Sequence, residues 1–152
     1  MAQNKDTDLK KAKEVAVKAA KDAGRIAMKS FRNIKKYGFK DKDNNQTVCE
    51  IDLASESLIK KSIAKSFPDH AILAEESGDD KKDSEYMWVI DPIDGTRNYV
   101  RGHPSFGISI ALAKDKEVIL GVVYFPVYDW LFTAEKGKGA EMNGKKIHVS
   151  NN

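Results

Sequence analysis

The sequence predicts an α+β fold in which two N-terminal helices pack on a largely antiparallel β-sheet. Three observations lead there. Small and apolar residues recur at helical spacing early in the chain, and short apolar runs separated by turn residues fill the remainder. No internal repeat or linker divides the two, and 152 residues suffice for one domain with a proper core.

Thr7 or Asp6 can cap a first helix running to about Phe31. Its stripe of Leu9, Ala12, Ala16, Ala19, Ala23, Ala27 and Phe31 is narrow and allows close packing. Lys35 to Asn45 is strongly polar and reads as a mobile loop. Thr47 to Asp52 leads into a second helix with Asp52 at its start, where a carboxylate can cap free amides. Leu58, Ile59, Ile63 and Phe67 form the apolar face of that helix, and Pro68 follows its end. Ala71 to Ala74 is a short strand ending in Glu75-Glu76-Ser77-Gly78, and Asp79 to Glu85 is an exposed loop. Met87 to Ile90 is a buried strand whose regular continuation Pro92 forbids. Strands at Phe106 to Ala113 and Val118 to Phe125 flank a Lys114-Asp115-Lys116 turn. Trp130 to Ala134 and Gly139 to Met142 flank another turn, and Ile147 to Val149 follows Asn143-Gly144 as a last strand.

Composition narrows the function. With 41% hydrophobic and 32% charged residues, the chain is neither disordered nor membrane-spanning. Its 26 basic and 23 acidic residues are interspersed, so no nucleic-acid footprint stands out. The basic excess of the first 40 residues reads as a solvated helix face. Cys49, the one cysteine, cannot form an internal disulfide and reads as a small buried residue. The first residues lack the apolar core of a signal peptide, so the expected location is cytoplasmic. His70, His103 and His148 have no Cys or His spacing that would bind zinc. Lys136-Gly-Lys-Gly lacks the Ser or Thr of a P-loop and reads as a hairpin tip.

The chemistry lies in Trp88-Val89-Ile90-Asp91-Pro92-Ile93-Asp94-Gly95-Thr96. A buried strand drives into two carboxylates three residues apart, and Gly95 permits a backbone geometry that other residues resist. Two anions held that close repel unless a hard cation lies between them. If the strand carrying Glu75 lies beside this one, the acids of both strand ends converge. Magnesium takes such oxygen ligands, and the Ile93 carbonyl is available to join Glu75, Asp91 and Asp94. The amides of Gly95 and Thr96, at the start of a helical turn, form an anion site for a phosphate. Glu75 and Thr96 can orient an attacking water, with Asp52 shaping its surroundings.

Asp91-Pro-Ile-Asp-Gly-Thr96, preceded by Trp88-Val-Ile and followed by Asn98-Tyr99, resembles the first signature of the inositol monophosphatase family. That family lies in the lithium-sensitive, magnesium-dependent sugar phosphatase superfamily. Ala74-Glu75-Glu76-Ser77, Gly121-Val-Val-Tyr124, Glu135-Lys-Gly-Lys-Gly-Ala140 and Asn143-Gly144 extend the likeness along nearly the whole chain. The resemblance implies Glu75, Asp91 and the Ile93 carbonyl at a first metal, and Asp91 and Asp94 at a second. It places Gly95 and Thr96 around the phosphate, Thr96 also at the attacking water, and Asp52 near a weakly held third ion. Two departures stand out: Ala74 replaces the usual Gly, and Gln46-Thr47-Val48-Cys49 keeps the pattern before Asp52 only loosely.

Family members continue past the equivalent of Val149-Ser150 into a second α/β domain, with a Trp-Asp signature that completes the second metal site. The resemblance thus implies that residues 1–152 are a single N-terminal metal-binding domain, the N-terminal half of a layered fold, with the C-terminal domain absent. The implied function is magnesium-dependent hydrolysis of inositol monophosphate or a related sugar phosphate by a metal-activated water, impaired at this length. The alternatives are fructose 1,6-bisphosphatase or 3′-phosphoadenosine nucleotide phosphatase activity in the full-length protein, and a non-catalytic association module. An uncovered sheet edge favours pairing, so a homodimer is expected, with neither membrane nor nucleic acid as partner.

Overall fold

A computed structural model of the chain describes residues 7–31, 33, 39–42 and 46–150, the side chains of 39–42 and 46–49 excepted. Helix α1 (Leu9–Phe31) opens it, followed by strands β1 (Phe39–Lys42) and β2 (Gln46–Cys49) and helix α2 (Glu50–Ser66). Strands β3 (Ala71–Ala74), β4 (Gly78–Asp79) and β5 (Tyr86–Asp94) lead to the short helix α3 (Thr96–Val100). Strands β6 (Gly107–Lys114), β7 (Glu117–Phe125), β8 (Trp130–Glu135), β9 (Gly139–Met142) and β10 (Lys145–Ile147) complete it. β1 and β2 pair as a hairpin, and the others form one sheet in the order β10-β9-β8-β7-β6-β5-β3-β4. β3 and β5 pair in parallel; the remaining pairs among the described residues are antiparallel. The fold is α+β, as the sequence predicts.

The alanine stripe does what its spacing implies. Ala12, Ala16, Ala19, Ala20 and Ala23 are fully buried, in one core with Ile59 and Ile63 of α2 and with Trp88, Ile110, Leu112 and Val122 of the sheet. Gly24 extends the close approach: a Cβ there would meet Tyr124 Cε1 at 2.7 Å and the Pro126 side chain at 3.3 Å. Both helices cover one face of the sheet. On the other face Leu73 and Val89 remain partly exposed. A second cluster of Ala27, Phe31, Ile51, Ile93, Tyr99 and Phe106 pins the β5–α3 turn against the end of α1, and the Tyr99 hydroxyl donates to the Ala27 carbonyl at 2.8 Å.

Several expectations need correction. The strand read at Met87 to Ile90 is longer, Tyr86–Asp94, and it passes Pro92 only irregularly. β5 continues to Asp94 through a bulge, where three steps from Asp91 match two steps on β6, a place at which a proline is tolerated. Asp8, rather than Thr7, caps α1 by accepting the Lys11 amide at 3.1 Å, while Asp6 lies outside the described residues. Asp52 lies in the first turn of α2, as read, and it is also buried, with its Oδ1 3.1 Å from the Thr96 hydroxyl. The polar stretch read as a mobile loop contains β1; its residues 35–38 and 43–45 lie outside the described residues, as does the Cys49 side chain. The last strand ends at Ile147, and His148 and Val149 are exposed beyond it.

His70 was unremarkable in sequence, but it is buried, stacked between Phe67 and Tyr86 with centroids 4.8 Å from each. The Trp88 indole donates to its Nδ1 at 3.1 Å. An indole can only donate, so Nδ1 carries no proton and Nε2–H faces the Thr7 hydroxyl at 3.0 Å. Burial lowers the pKa of this ring, against the nearby Asp69 charge and with that of Lys82. The folded state thus favours the neutral form. The resulting stabilisation is complete above the ordinary value of 6.5 and is lost as pH falls through the lowered one. Thermal melts should show the advantage of the wild type over His70→Phe shrinking as pH drops from about 7 to about 5. Gly24→Ala, favourable by helix propensity alone, should lower stability by about 1 kcal/mol, because overpacking against Tyr124 outweighs the propensity gain.

Candidate active site

Parallel pairing of β3 with β5 sets Ala74 opposite Ile90, so the next residues, Glu75 and Asp91, stand side by side. The Glu75 amide continues the ladder to the Ile90 carbonyl at 3.0 Å. Their carboxyl groups face each other closely enough to share a proton, and two ionised carboxylates repel at that range unless a proton or a cation lies between them. Burial, the Glu75 hydrogen bond, and the charges of Glu75 and Asp94 push Asp91 up to about 8. The buried Asp91 Oδ1 has no hydrogen-bond partner among the described residues. The pair stands at the end of a groove of about 550 Å³ on the helix-free face, floored by Leu73, Val89 and Ala111 and flanked by Ser109.

These residues suit a hard cation. The donors are all oxygen, one buried carboxylate oxygen is unpartnered, and the acids repel. Among the described residues no three acids, histidines or cysteines converge as a preformed cage. Asp94 is exposed and acts on Asp91 through its charge. Magnesium asks for no such cage, since it binds through one or two carboxylates and keeps waters and substrate phosphate as its other ligands.

The phosphate side of the motif is shaped by backbone constraint. Gly95 has φ 89°, and a Cβ would lie 2.9 Å from the Ser105 carbonyl oxygen, so glycine is required on two counts. Asn98 fixes the same loop by donating to the Ser105 carbonyl at 2.7 Å. The Thr96 hydroxyl lies 3.1 Å from Asp52 Oδ1 and 2.9 Å from the Ile93 carbonyl. With one proton it donates to one of these at a time, which leaves its lone pairs free to accept from a third group. His103 only accepts the Ser105 amide in the turn, and Lys136 to Gly139 form the β8–β9 hairpin tip.

Sequence reasoning missed how much α2 contributes. Asp52, Glu56 and Lys60 follow at four-residue intervals along one face of α2. Asp52 meets Thr96, Glu56 accepts the Glu76 and Ser77 amides, and Lys60 donates to the Ser77 hydroxyl. The available signal was the i, i+4 spacing of two acids among residues of the buried face.

Protein freed of divalent cations should lose stability as pH rises from about 4 through about 8, because the fold favours protonated Asp91 and the unfolded chain does not. Asp91→Asn should flatten that slope and raise stability at alkaline pH by about 1–2 kcal/mol, measured by urea unfolding in chelator.

Comparison with known proteins gives the family and the fold. The sequence profile of the inositol monophosphatase family matches residues 8–152. The fructose-1,6-bisphosphatase/inositol-1-monophosphatase of Aquifex aeolicus is 44% identical over 145 residues, covering 95% of this chain and 55% of the relative. The Nus factor SuhB of Pasteurella multocida is 44% identical over 138 residues, covering 90% and 52%. Among solved structures, the extragenic suppressor protein suhB from Bartonella henselae superposes with a TM-score of 0.90 at 34% identity, covering 93% of this chain and 55% of that one. The chain spans about half the length of the curated relatives it matches. A profile match over almost every residue, with the same fold, means that the chain belongs to the inositol monophosphatase family.

Proposed function

We propose that this chain forms the metal- and phosphate-binding part of a magnesium-dependent phosphatase acting on a small monoester, an inositol monophosphate or related sugar phosphate. The observation that carries the reading is the unpartnered, buried oxygen of Asp91, held against Glu75 beside the Thr96–Asp52 hydrogen bond. Glu75, Asp91, Asp94 and the Ile93 carbonyl are the groups that would hold magnesium, two ions with a weaker third near Asp52. Magnesium bound there would supply Lewis acidity toward the phosphate and toward water.

The chain's own residues do the rest. The amides of Gly95 and Thr96, at the start of α3, orient the phosphate. Thr96 donates its proton to Asp52 and turns a lone pair toward the attacking water, whose second proton faces Glu75. Asp52 is buried, so its carboxylate is held to this one direction and does not drift into solvent. Name and site together favour a phosphate monoester, since the Aquifex relative is named for two such substrates.

Calorimetry should detect magnesium binding that Asp91→Asn abolishes. Absence of Asp91-dependent binding would sink the proposal. The chain should release phosphate from inositol 1-phosphate slowly, with magnesium required and lithium inhibitory, and Thr96→Ala should cut the rate by about 10²-fold. Metal-independent self-association without hydrolysis would favour an association module built on the open sheet face instead.

A further inference from the structure

Glu56 is a buried carboxylate that touches neither the proposed cation site nor the phosphate site. A carboxylate out of water needs strong partners, and this one has two. Its Oε2 accepts the Glu76 amide at 2.8 Å and its Oε1 accepts the Ser77 amide at 3.0 Å. One turn further along α2, Lys60 donates to the Ser77 hydroxyl at 2.7 Å. The neighbouring Glu75 amide is held from the opposite side by the Ile90 carbonyl at 3.0 Å. The turn that carries Glu75 is therefore fixed between α2 and β5.

That arrangement matters because Glu75 is an exposed residue whose carboxyl meets Asp91, so the place of its turn decides whether the two groups meet. The Glu75 backbone is held by the Ile90 carbonyl on one side, and the two residues after it are held by Glu56 on the other. Glu56 also lies one helical turn after Asp52, which engages Thr96. A single helix face thus fixes both the turn bearing Glu75 and the turn bearing Thr96, and the rigid rise of α2 sets the spacing between them.

We infer that Glu56 is a positioning residue for the cation site, holding the Glu75 carboxyl against Asp91 by clamping the Glu76 and Ser77 amides. The inference rests on the reading that Glu75 and Asp91 hold magnesium. Glu56→Gln removes one acceptor oxygen at constant shape. Glu56→Asp keeps the charge and withdraws both oxygens from the amides. A contribution from charge alone would survive in Glu56→Asp, whereas the clamp would not.

The test measures two quantities on the whole chain: magnesium affinity by calorimetry with the metal alone, and amide hydrogen exchange. Both variants should bind magnesium about 10–100-fold more weakly, the usual loss when a group supporting a metal ligand is removed. Both should exchange the Glu76 and Ser77 amides faster, while the β6–β7 ladder keeps its rates. Unchanged magnesium affinity despite faster exchange would overturn the inference. So would weakened binding in Glu56→Gln but not in Glu56→Asp. If Glu56→Gln does not fold, Glu56→Asp alone makes the comparison. Failure of the unaltered chain to bind magnesium would remove the cation reading and this role with it, while exchange at Glu76 and Ser77 would still report the clamp.

Discussion

Everything at the site follows from the parallel pairing of β3 with β5, because parallel strands deliver their C-terminal ends to the same side of a sheet. The residue after Ala74 and the residue after Ile90 are both acids, so the pairing forces two carboxyls into contact. An antiparallel arrangement would have sent them to opposite edges. Parallel neighbours usually need a helical crossover, yet this return is short, and β4 folds back on β3 along the way. The repulsion created by the pairing is local, and it is tolerated because the surroundings are stiff.

That stiffness has separate sources on each side. Beneath the sheet, α1 approaches closely through alanines and Gly24, while Trp88 is locked by its hydrogen bond to a neutral His70. Beyond the strand end, Phe31, Tyr99 and Phe106 pack in a cluster that buries Ile93, the residue before Asp94 and the source of the carbonyl facing Thr96. On the same face of the sheet as α1, α2 grips both turns through Asp52, Glu56 and Lys60. The acids are thereby held where a cation, rather than a rearrangement, relieves their repulsion. On the opposite face the sheet is open, and the groove leading from the acids is lined by apolar side chains.

How much of this was legible depends on the range of the interaction involved. The first helix, the hairpins and the turn at Gly95 rest on contacts within a few residues, and the sequence placed them to within one or two positions. Pro92 marked the irregularity but not its form, because a bulge on β5 lets the strand run past the proline to Asp94. The contact of Asp52 with Thr96 was hidden because the two are 44 residues apart. Glu56 was passed over since a glutamate on a helix is usually a solvated charge, and nothing local shows that it will be buried. His70 seemed isolated for the same reason, its partner Trp88 lying on another strand.

The sequence by itself determined the periodicities, the strand ends and the chemical identity of the acids, because these depend on residue type and spacing alone. It also offered at Gly95 a residue free to adopt a left-handed turn, since that freedom is a property of one residue's backbone. Only the tertiary structure decided that β3 and β5 are neighbours, that Asp91 leaves one buried oxygen unpartnered, and that one face of α2 holds both turns. Those are matters of burial and of contacts between distant segments, and both come into being when the helices close over the sheet.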